Sequence, residues 1–488
     1  MLDPHPQSQP LAFLSATEVL AKFDDGSLTS HQLVDALLDR IIALDGPGSP
    51  IALHAIAAVA HDALEVAHQR DLERANGEIR GPLHGVPVLL KDNIEATGLP
   101  GTAGATALVG RPAHDAELVT RLRDAGAIVM GSTNLSQWAN LRSNKSASGY
   151  SATGGLVGNP WSLDRSAGGS SSGSGAAAAA GYAPLVVGTE TDGSITCPAS
   201  LNGVVGLKPT VGTVSRQGVV PISHVQDSPG PLTRSVADAR LLYAALSGTT
   251  PPVAVSTPRL VRATTWNTGH LATDKVFTTF LATAREHGLV IPEREFAVFG
   301  KDQGNDEQHA LLCEFYDDLG AYLAARPGEG VHSIDDVIDF ENRHAETEHR
   351  YSGHEHLVAA KATGGMTNAT YRECRDRVVA WALSSCLEPG LGDDDIIVAP
   401  AYAPAWKSDL VLGDLGIWFN SGISAAAVAG WPIATVPIGL VQGLPVGMTL
   451  IGRPNSEYAL LDAAASFEAV ATATGWTGTP QWRHQRGL

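Results

Sequence analysis

Short apolar runs alternate with amphipathic stretches along most of this chain. Ser15 and Glu18 stand at capping-box spacing and predict a helix start. Leu33, Leu37, Leu38 and Ile41 recur at helical spacing, so a second helix is predicted from Thr29 or Ser30. Ile51 to Ala60 is apolar enough for a strand, and His61 to Asn76 is charged and periodic, hence helical. Gly85 to Leu90 is a short apolar run ending on Lys91-Asp92, the pattern of a strand buried on both faces. A helix is predicted over Ala116–Ala125, a strand over Ala127–Gly131, and another helix from Leu135 onward. Pro184-Leu185-Val186-Val187 reads as a further buried strand. Arg234 to Ser247 places Val236, Ala239, Leu242 and Ala245 along one helix side. Strands at Asp395–Pro400, Val436–Leu440 and Val446–Ile451 and a helix at Glu457–Val470 close the chain. Such alternation predicts an α/β sheet protein.

Residues 300–390 break the rhythm. They are charged and helical with few strand runs, and predict a helical insertion covering one side of the core. Residues 1–10 hold three prolines and read as a loose lead-in.

Composition narrows the classes. A net charge of −18 over 488 residues argues against nucleic acid or an anionic membrane as the main partner. No run reaches the length of a membrane span. The N-terminus lacks a basic segment followed by a long apolar one, so no signal peptide is predicted and a cytoplasmic location is expected. The four cysteines, Cys197, Cys313, Cys374 and Cys386, show neither zinc-ligand spacing nor a disulfide framework. His61 and His68 would share a helix face, but a solvated face is the expectation. His344, Glu346, Glu348, His349, His354, Glu355 and His356 form a denser group. It lacks H-E-x-x-H spacing, so an exposed charged surface is expected there rather than a metal site. Neither a phosphate-binding G-x-x-x-x-G-K-[ST] loop nor a strand-preceded G-x-G-x-x-G occurs, so no cofactor is predicted.

The chemistry concentrates between Gly168 and Pro209: GGSSSGSGAAAAAGYAPLVVGTETDGSITCPASLNGVVGLKP. A flexible Gly/Ser linker would be polar and would sit at a domain edge. This block instead runs into an apolar strand and returns to a second serine-bearing turn, Asp192-Gly193-Ser194. Gly169-Ser170-Ser171-Ser172-Gly173 formally matches the G-x-S-x-G nucleophile elbow. That motif must follow a buried strand, whereas Asn159 to Arg165 is polar and broken by proline.

Gly168-Gly169-Ser170-Ser171, Gly193-Ser194-Ile195 and Gly206-Leu207-Lys208-Pro209, with Lys91 upstream in GPLHGVPVLLKDN, resemble the amidase signature family. The resemblance covers most of residues 10–475 and is densest over 81–238 and 427–468. It implies one domain over residues 1–488, with an α/β/α core around a mixed, mostly parallel sheet and the helical insertion at about 300–390. It further implies a Ser–Ser–Lys relay for amide hydrolysis through an acyl-enzyme. Ser194 would be the nucleophile, Ser170 the proton carrier and Lys91 the terminal base, with a cis peptide bond between Gly169 and Ser170. Lys91 must then be neutral, which burial would achieve by lowering its pKa. Backbone amides of Thr191, Asp192 and Gly193 are the candidate oxyanion and substrate contacts. Glu190-Thr191-Asp192-Gly193-Ser194-Ile195-Thr196 carries an acid two residues before the nucleophile and a threonine where many family members have arginine. With Asn134 to Asn140, the triple serine and Gly206 to Gly212, this form resembles bacterial peptide amidases. A small amide or peptide C-terminal amide is the implied substrate, with ammonia released. The alternatives are a general aliphatic or aryl amidase, a glutamine hydrolase of the tRNA-dependent amidotransferase kind working with a partner, and a non-catalytic binding protein.

Overall fold

The computed structural model describes residues 9–111, 113–252, 259–389, 391–393, 395–480 and 482. Eleven strands form one sheet. In chain order they are β1 (Ile56–Val59), β2 (Pro87–Lys91), β3 (Ile128–Thr133), β4 (Leu185–Glu190), β5 (Val205–Lys208), β6 (Ser228–Thr233), β7 (Arg259–Ala263), β8 (Glu293–Arg294), β9 (Asp395–Pro400), β10 (Ile433–Val441) and β11 (Leu444–Ile451). Across the sheet they run β1-β3-β2-β4-β6-β5-β10-β11-β9-β7-β8. The expected α/β class and mixed sheet are present.

The balance of the sheet differs from the expectation. Among the described residues, β2 pairs in parallel with β3 and β4, and β7 with β8 and β9, while the other six pairings are antiparallel. Strands buried on both faces read as continuous apolar runs whichever way their neighbours point, so direction is not visible in the pattern. Four strands, β5, β6, β7 and β8, have no counterpart among the predicted elements, and β6 is the one whose sequence argues against it. β6, SPGPLT, carries two prolines, which cannot donate to a ladder and argue against a central strand. It nevertheless lies between β4 and β5, antiparallel to both, and its pairing with β5 is confined to Leu232 and Thr233, beyond the prolines.

The helices follow the sequence closely. Thr29 and Ser15 both cap helices through reciprocal boxes, at Ser30–Asp45 and Ala16–Asp24. The predicted strand at 51–60 shortens to β1, with Ala52 and His54 at positive φ before it. The helix after it begins at Ala63, so His61 lies outside, and His68 packs edge-on to His31 instead. No regular helix follows Leu135. Gln137–Asn140 is a single turn in which Trp138, Ala139 and Asn140 have positive φ. Tertiary hydrogen bonds override local propensity there: Ser136 N donates to Ser170 O at 3.0 Å and Trp138 N to Ala103 O at 2.9 Å. The lead-in expectation falls outside the described residues through residue 8, and Gln9–Ala12 is a short helix. Residues 301–387 are helical throughout their main elements, as expected of the insertion.

The Gly/Ser/Ala block is the opposite of a linker. Ser172–Ala180 is a helix with every residue buried, packed between the sheet and the helix Thr196–Asn202. Small residues are required because backbones approach it on two sides. A Cβ on Gly173 would stand 2.3 Å from Asn134 O and 2.4 Å from Ala55 O. Replacing Gly173 by alanine should therefore destabilise the protein despite alanine's better helix propensity, by about 1–3 kcal/mol. A lowered urea midpoint would show it; an unchanged or raised midpoint would mean the two loops yield freely.

Candidate active site

Lys91 is the last residue of β2, and its side chain is 0% exposed. The parallel pairing of β2 with β4 brings its ammonium-bearing end against Thr189. Lys91 Nζ lies 2.9 Å from Thr189 Oγ1, 3.2 Å from Thr189 O and 2.7 Å from Ser170 Oγ. A neutral amine has two N–H donors and one lone pair. Three oxygens surround Nζ, a set that fits the three N–H groups of an ammonium as well as the two N–H groups and lone pair of a neutral amine. Burial depresses the Lys91 pKa to about 7, against the opposing charges of Asp227 and Glu190.

Ser170 follows a cis peptide bond from Gly169 and is fully buried. The next serine is occupied elsewhere: Ser171 Oγ donates to Thr189 O at 3.0 Å and accepts from Thr189 N at 3.2 Å. Its hydroxyl is thus committed to β4. The segment before it, Ser162–Ser166, is half of a two-stranded ribbon and not a central strand, so the elbow context is absent.

Ser194 sits in the turn between β4 and the helix Thr196–Asn202, 7% exposed. This turn lies on the Gly/Ser block, because Ser171 N donates to Ser194 O at 3.2 Å. Glu190 fixes the outgoing side of the turn, accepting from Ile195 N at 2.6 Å and Thr196 N at 2.8 Å. On the incoming side, Thr191 Oγ1 donates to Asp227 Oδ1 at 2.6 Å. Gly193 has φ +79°, and a Cβ there would stand 2.6 Å from Tyr402 Oη, so both conformation and space demand glycine.

Asp192, the acid that the sequence motif singles out, is partly exposed, and desolvation raises its carboxyl pKa. The structure adds a group that no motif announced. Glu307, from the insertion helix Lys301–Ala325, is 6% exposed. Burial, then the charge of Asp192, hold its carboxyl well above the usual range. Gln226 Nε2 donates to Glu307 Oε1 at 2.9 Å and to Thr191 O at 3.4 Å. Arg375 in turn bonds Gln226 and pairs with buried Glu314 at 2.6 Å. In sequence, Glu307 is one charge among many in a polar helix. Only the packing of that helix over the turn makes it a site residue.

Lys208 is the second fully buried lysine of these motifs, but it donates to Trp431 O at 2.9 Å and Pro209 O at 3.2 Å, an anchor between strands. Tyr402 stacks on Phe419, with ring centroids 5.3 Å apart, and next to it Ile417 and Trp418 are 41% and 47% exposed. An apolar shelf therefore starts at Gly193 and leads outward. The four cysteines are free thiols. Among the described residues no helix is long and apolar enough to cross a membrane.

Known proteins share this fold and much of this sequence. The Amidase family matches residues 32–278. A solved peptide amidase bound to the competitive inhibitor chymostatin is 40% identical, with a TM-score of 0.88 over 94% of this chain and 98% of that one. The native peptide amidase of Stenotrophomonas maltophilia is 39% identical, with a TM-score of 0.87 over 95% and 98%. A putative amidase of Schizosaccharomyces pombe is 31% identical over 95% of this chain and 87% of its own length. A glutamyl-tRNA(Gln) amidotransferase chain from Symbiobacterium thermophilum is 33% identical over 94% and 96%. Extent of match and likeness of fold lead to one conclusion: this chain belongs to the amidase family and is a hydrolase of the amidase signature type.

Proposed function

We propose that the chain hydrolyses the C-terminal carboxamide of peptides, through an acyl-enzyme formed on Ser194 and activated by Ser170 and Lys91. The observation that carries this is the fully buried Lys91, 2.7 Å from Ser170 and also bonded to Thr189. Ser194 Oγ attacks the amide carbon while its proton passes to Ser170, whose own proton passes to Lys91. The amides of Thr191, Asp192 and Gly193 stabilise the oxyanion. The proton then returns through Ser170 to the leaving nitrogen and ammonia departs. Water, activated by the same relay, releases the acid from Ser194. The single-domain reading over residues 1–488 is supported by the one sheet whose strands run from Ile56 to Ile451.

Two features favour a peptide amide over a simple amide. The shelf of Phe419, Trp418 and Ile417 gives apolar contact to a substrate extending beyond the reacting group. Asp192 places a carboxyl group two residues before Ser194, and when ionised it disfavours a free C-terminal carboxylate by like-charge repulsion. An ionised Asp192 also accepts from a substrate N–H, a charged hydrogen bond of roughly 1.5–3 kcal/mol.

A serine-directed fluorophosphonate should add one adduct to the intact mass, lost in Ser194→Ala and kept in Ser171→Ala; an adduct retained in Ser194→Ala and located on Ser171 would reverse the assignment. Lys91 is a base only when neutral. With its pKa near 7, kcat should fall about tenfold per unit as pH drops well below that value. Lys91→Ala should lose about 100-fold or more at neutral pH, and near-normal turnover by that variant would rule out the relay. Incubation with a dipeptide amide should release ammonia and the free acid. Asp192→Asn should raise KM for that substrate with little change in melting temperature. Turnover of aliphatic amides alone, or of glutamine only with a partner present, would defeat the peptide-amide reading.

A further inference from the structure

The histidine-rich segment of the insertion does not form the exposed surface its composition suggests. His344, Glu346 and Glu355 are exposed, but Glu348 and His354 are buried, and His349 is partly buried. They fold back on Glu341, on the helix Ile334–Arg343, whose side chain is 0% exposed. Three lone-pair atoms converge there. His354 Nδ1 lies 2.9 Å from Glu341 Oε2, His349 Nε2 lies 3.5 Å from the same oxygen, and the two ring nitrogens are 3.1 Å apart.

Without a cation the triangle needs one shared proton. If His354 Nδ1 carries it, the N–H lies between Glu341 Oε2 at 2.9 Å and the lone pair of His349 Nε2 at 3.1 Å, a divided hydrogen bond. If both nitrogens carry protons, two N–H groups 3.1 Å apart point at each other. A cation at the centre removes the conflict. Zinc binds His nitrogen and carboxylate oxygen at about 2.0–2.2 Å, which in a tetrahedron sets ligand atoms about 3.3 Å apart. The three observed edges straddle that value.

We propose that Glu341, His349 and His354 form a binding site for a divalent transition cation of the zinc class. The surroundings suit a structural ion. Trp138 Nε1 donates to Glu341 Oε1 at 2.8 Å and fixes the carboxylate, as outer-sphere partners of metal ligands do. Arg142 Nη2 is 3.4 Å from Glu341 Oε2, a nearby positive charge, but Glu348 lies 4.0 Å from the same guanidinium nitrogen and is itself fully buried. Arg142 hydrogen-bonds Glu341 Oε2 itself, but one guanidinium against the two buried carboxylates Glu341 and Glu348 leaves a net negative charge for the cation to meet. The partly buried His349 leaves an approach for water as a fourth ligand.

The ion would tie the insertion to the active-site loop. Gln137 Nε2 donates to Glu348 Oε2 at 2.5 Å, and Gln137 follows Ser136, whose amide holds Ser170 O. Its role is structural, because no ligand touches Lys91, Ser170 or Ser194. The inference is independent of the peptide-amide reading.

Untagged protein, purified without chelator and analysed by inductively coupled plasma mass spectrometry, should carry up to one zinc per chain. Chelator-treated protein titrated with Co(II) should develop the visible bands of a low-symmetry tetrahedral site at one equivalent. Zn(II) should raise its melting temperature. His354→Gln and His349→Gln should each weaken Co(II) binding at least about tenfold and abolish the thermal shift. His349 is partly exposed, so its variant reports on the site even if His354→Gln folds poorly. Absence of Co(II) bands together with absence of a Zn(II) thermal shift would overturn the proposal. Unchanged Co(II) affinity in folded His349→Gln would do the same.

Discussion

An amine taken wholly out of water is the constraint on which this structure turns. Lys91 is strongly disfavoured as a cation at its buried position, and the depressed pKa is the result. That position exists because β2 ends against β4 in parallel register, where Thr189 supplies two acceptors to the amine. The helix of glycine, serine and alanine then delivers Ser170 to the remaining direction. A helix of larger side chains could not come so near: Gly173 is almost in contact with two carbonyls, and Gly188 with Ser171. Composition, packing and proton transfer are thus one problem with one solution.

Around that centre, charge is handled by burial in linked groups. Thr191 ties to Asp227, and Gln226 bridges Thr191, Glu307 and Arg375, with Glu314 behind. Arg142 plays the corresponding part on the other side of the loop Asn134–Asn140, bonded to Gln137, Glu341 and the carbonyl of Glu348. Breaking one member of such a buried set leaves a partner uncompensated, which costs about 3–5 kcal/mol. The helical segment 301–387 is therefore fastened to the turn 191–194 through Gln226 rather than merely laid over it.

Much of this is legible in the chain. Helix starts at Ser15 and Thr29 announce themselves through capping boxes, and the strand at Asp395–Pro400 through its apolar run. Lys91, Ser170 and Ser194 are legible because each sits in a short motif of glycine, serine and flanking apolar residues that has few other uses. β6 is not, since its prolines and glycine signal a turn when read locally. The turn at Gln137–Asn140 reads as helix in the sequence because the bonds that bend it come from Ala103 and Ser170, far away along the chain.

By itself, then, the sequence determined the α/β class, the helical insertion, the family resemblance and the three residues of the proposed relay. All of these rest on local periodicity or on short contiguous motifs. Tertiary structure decided the direction of the strands, the burial and lowered pKa of Lys91, the approach of Glu307 to Asp192 and the burial of Glu341, Glu348 and His354. Each of those depends on groups distant along the chain meeting away from water, and neither spacing nor composition records how far a side chain is from solvent.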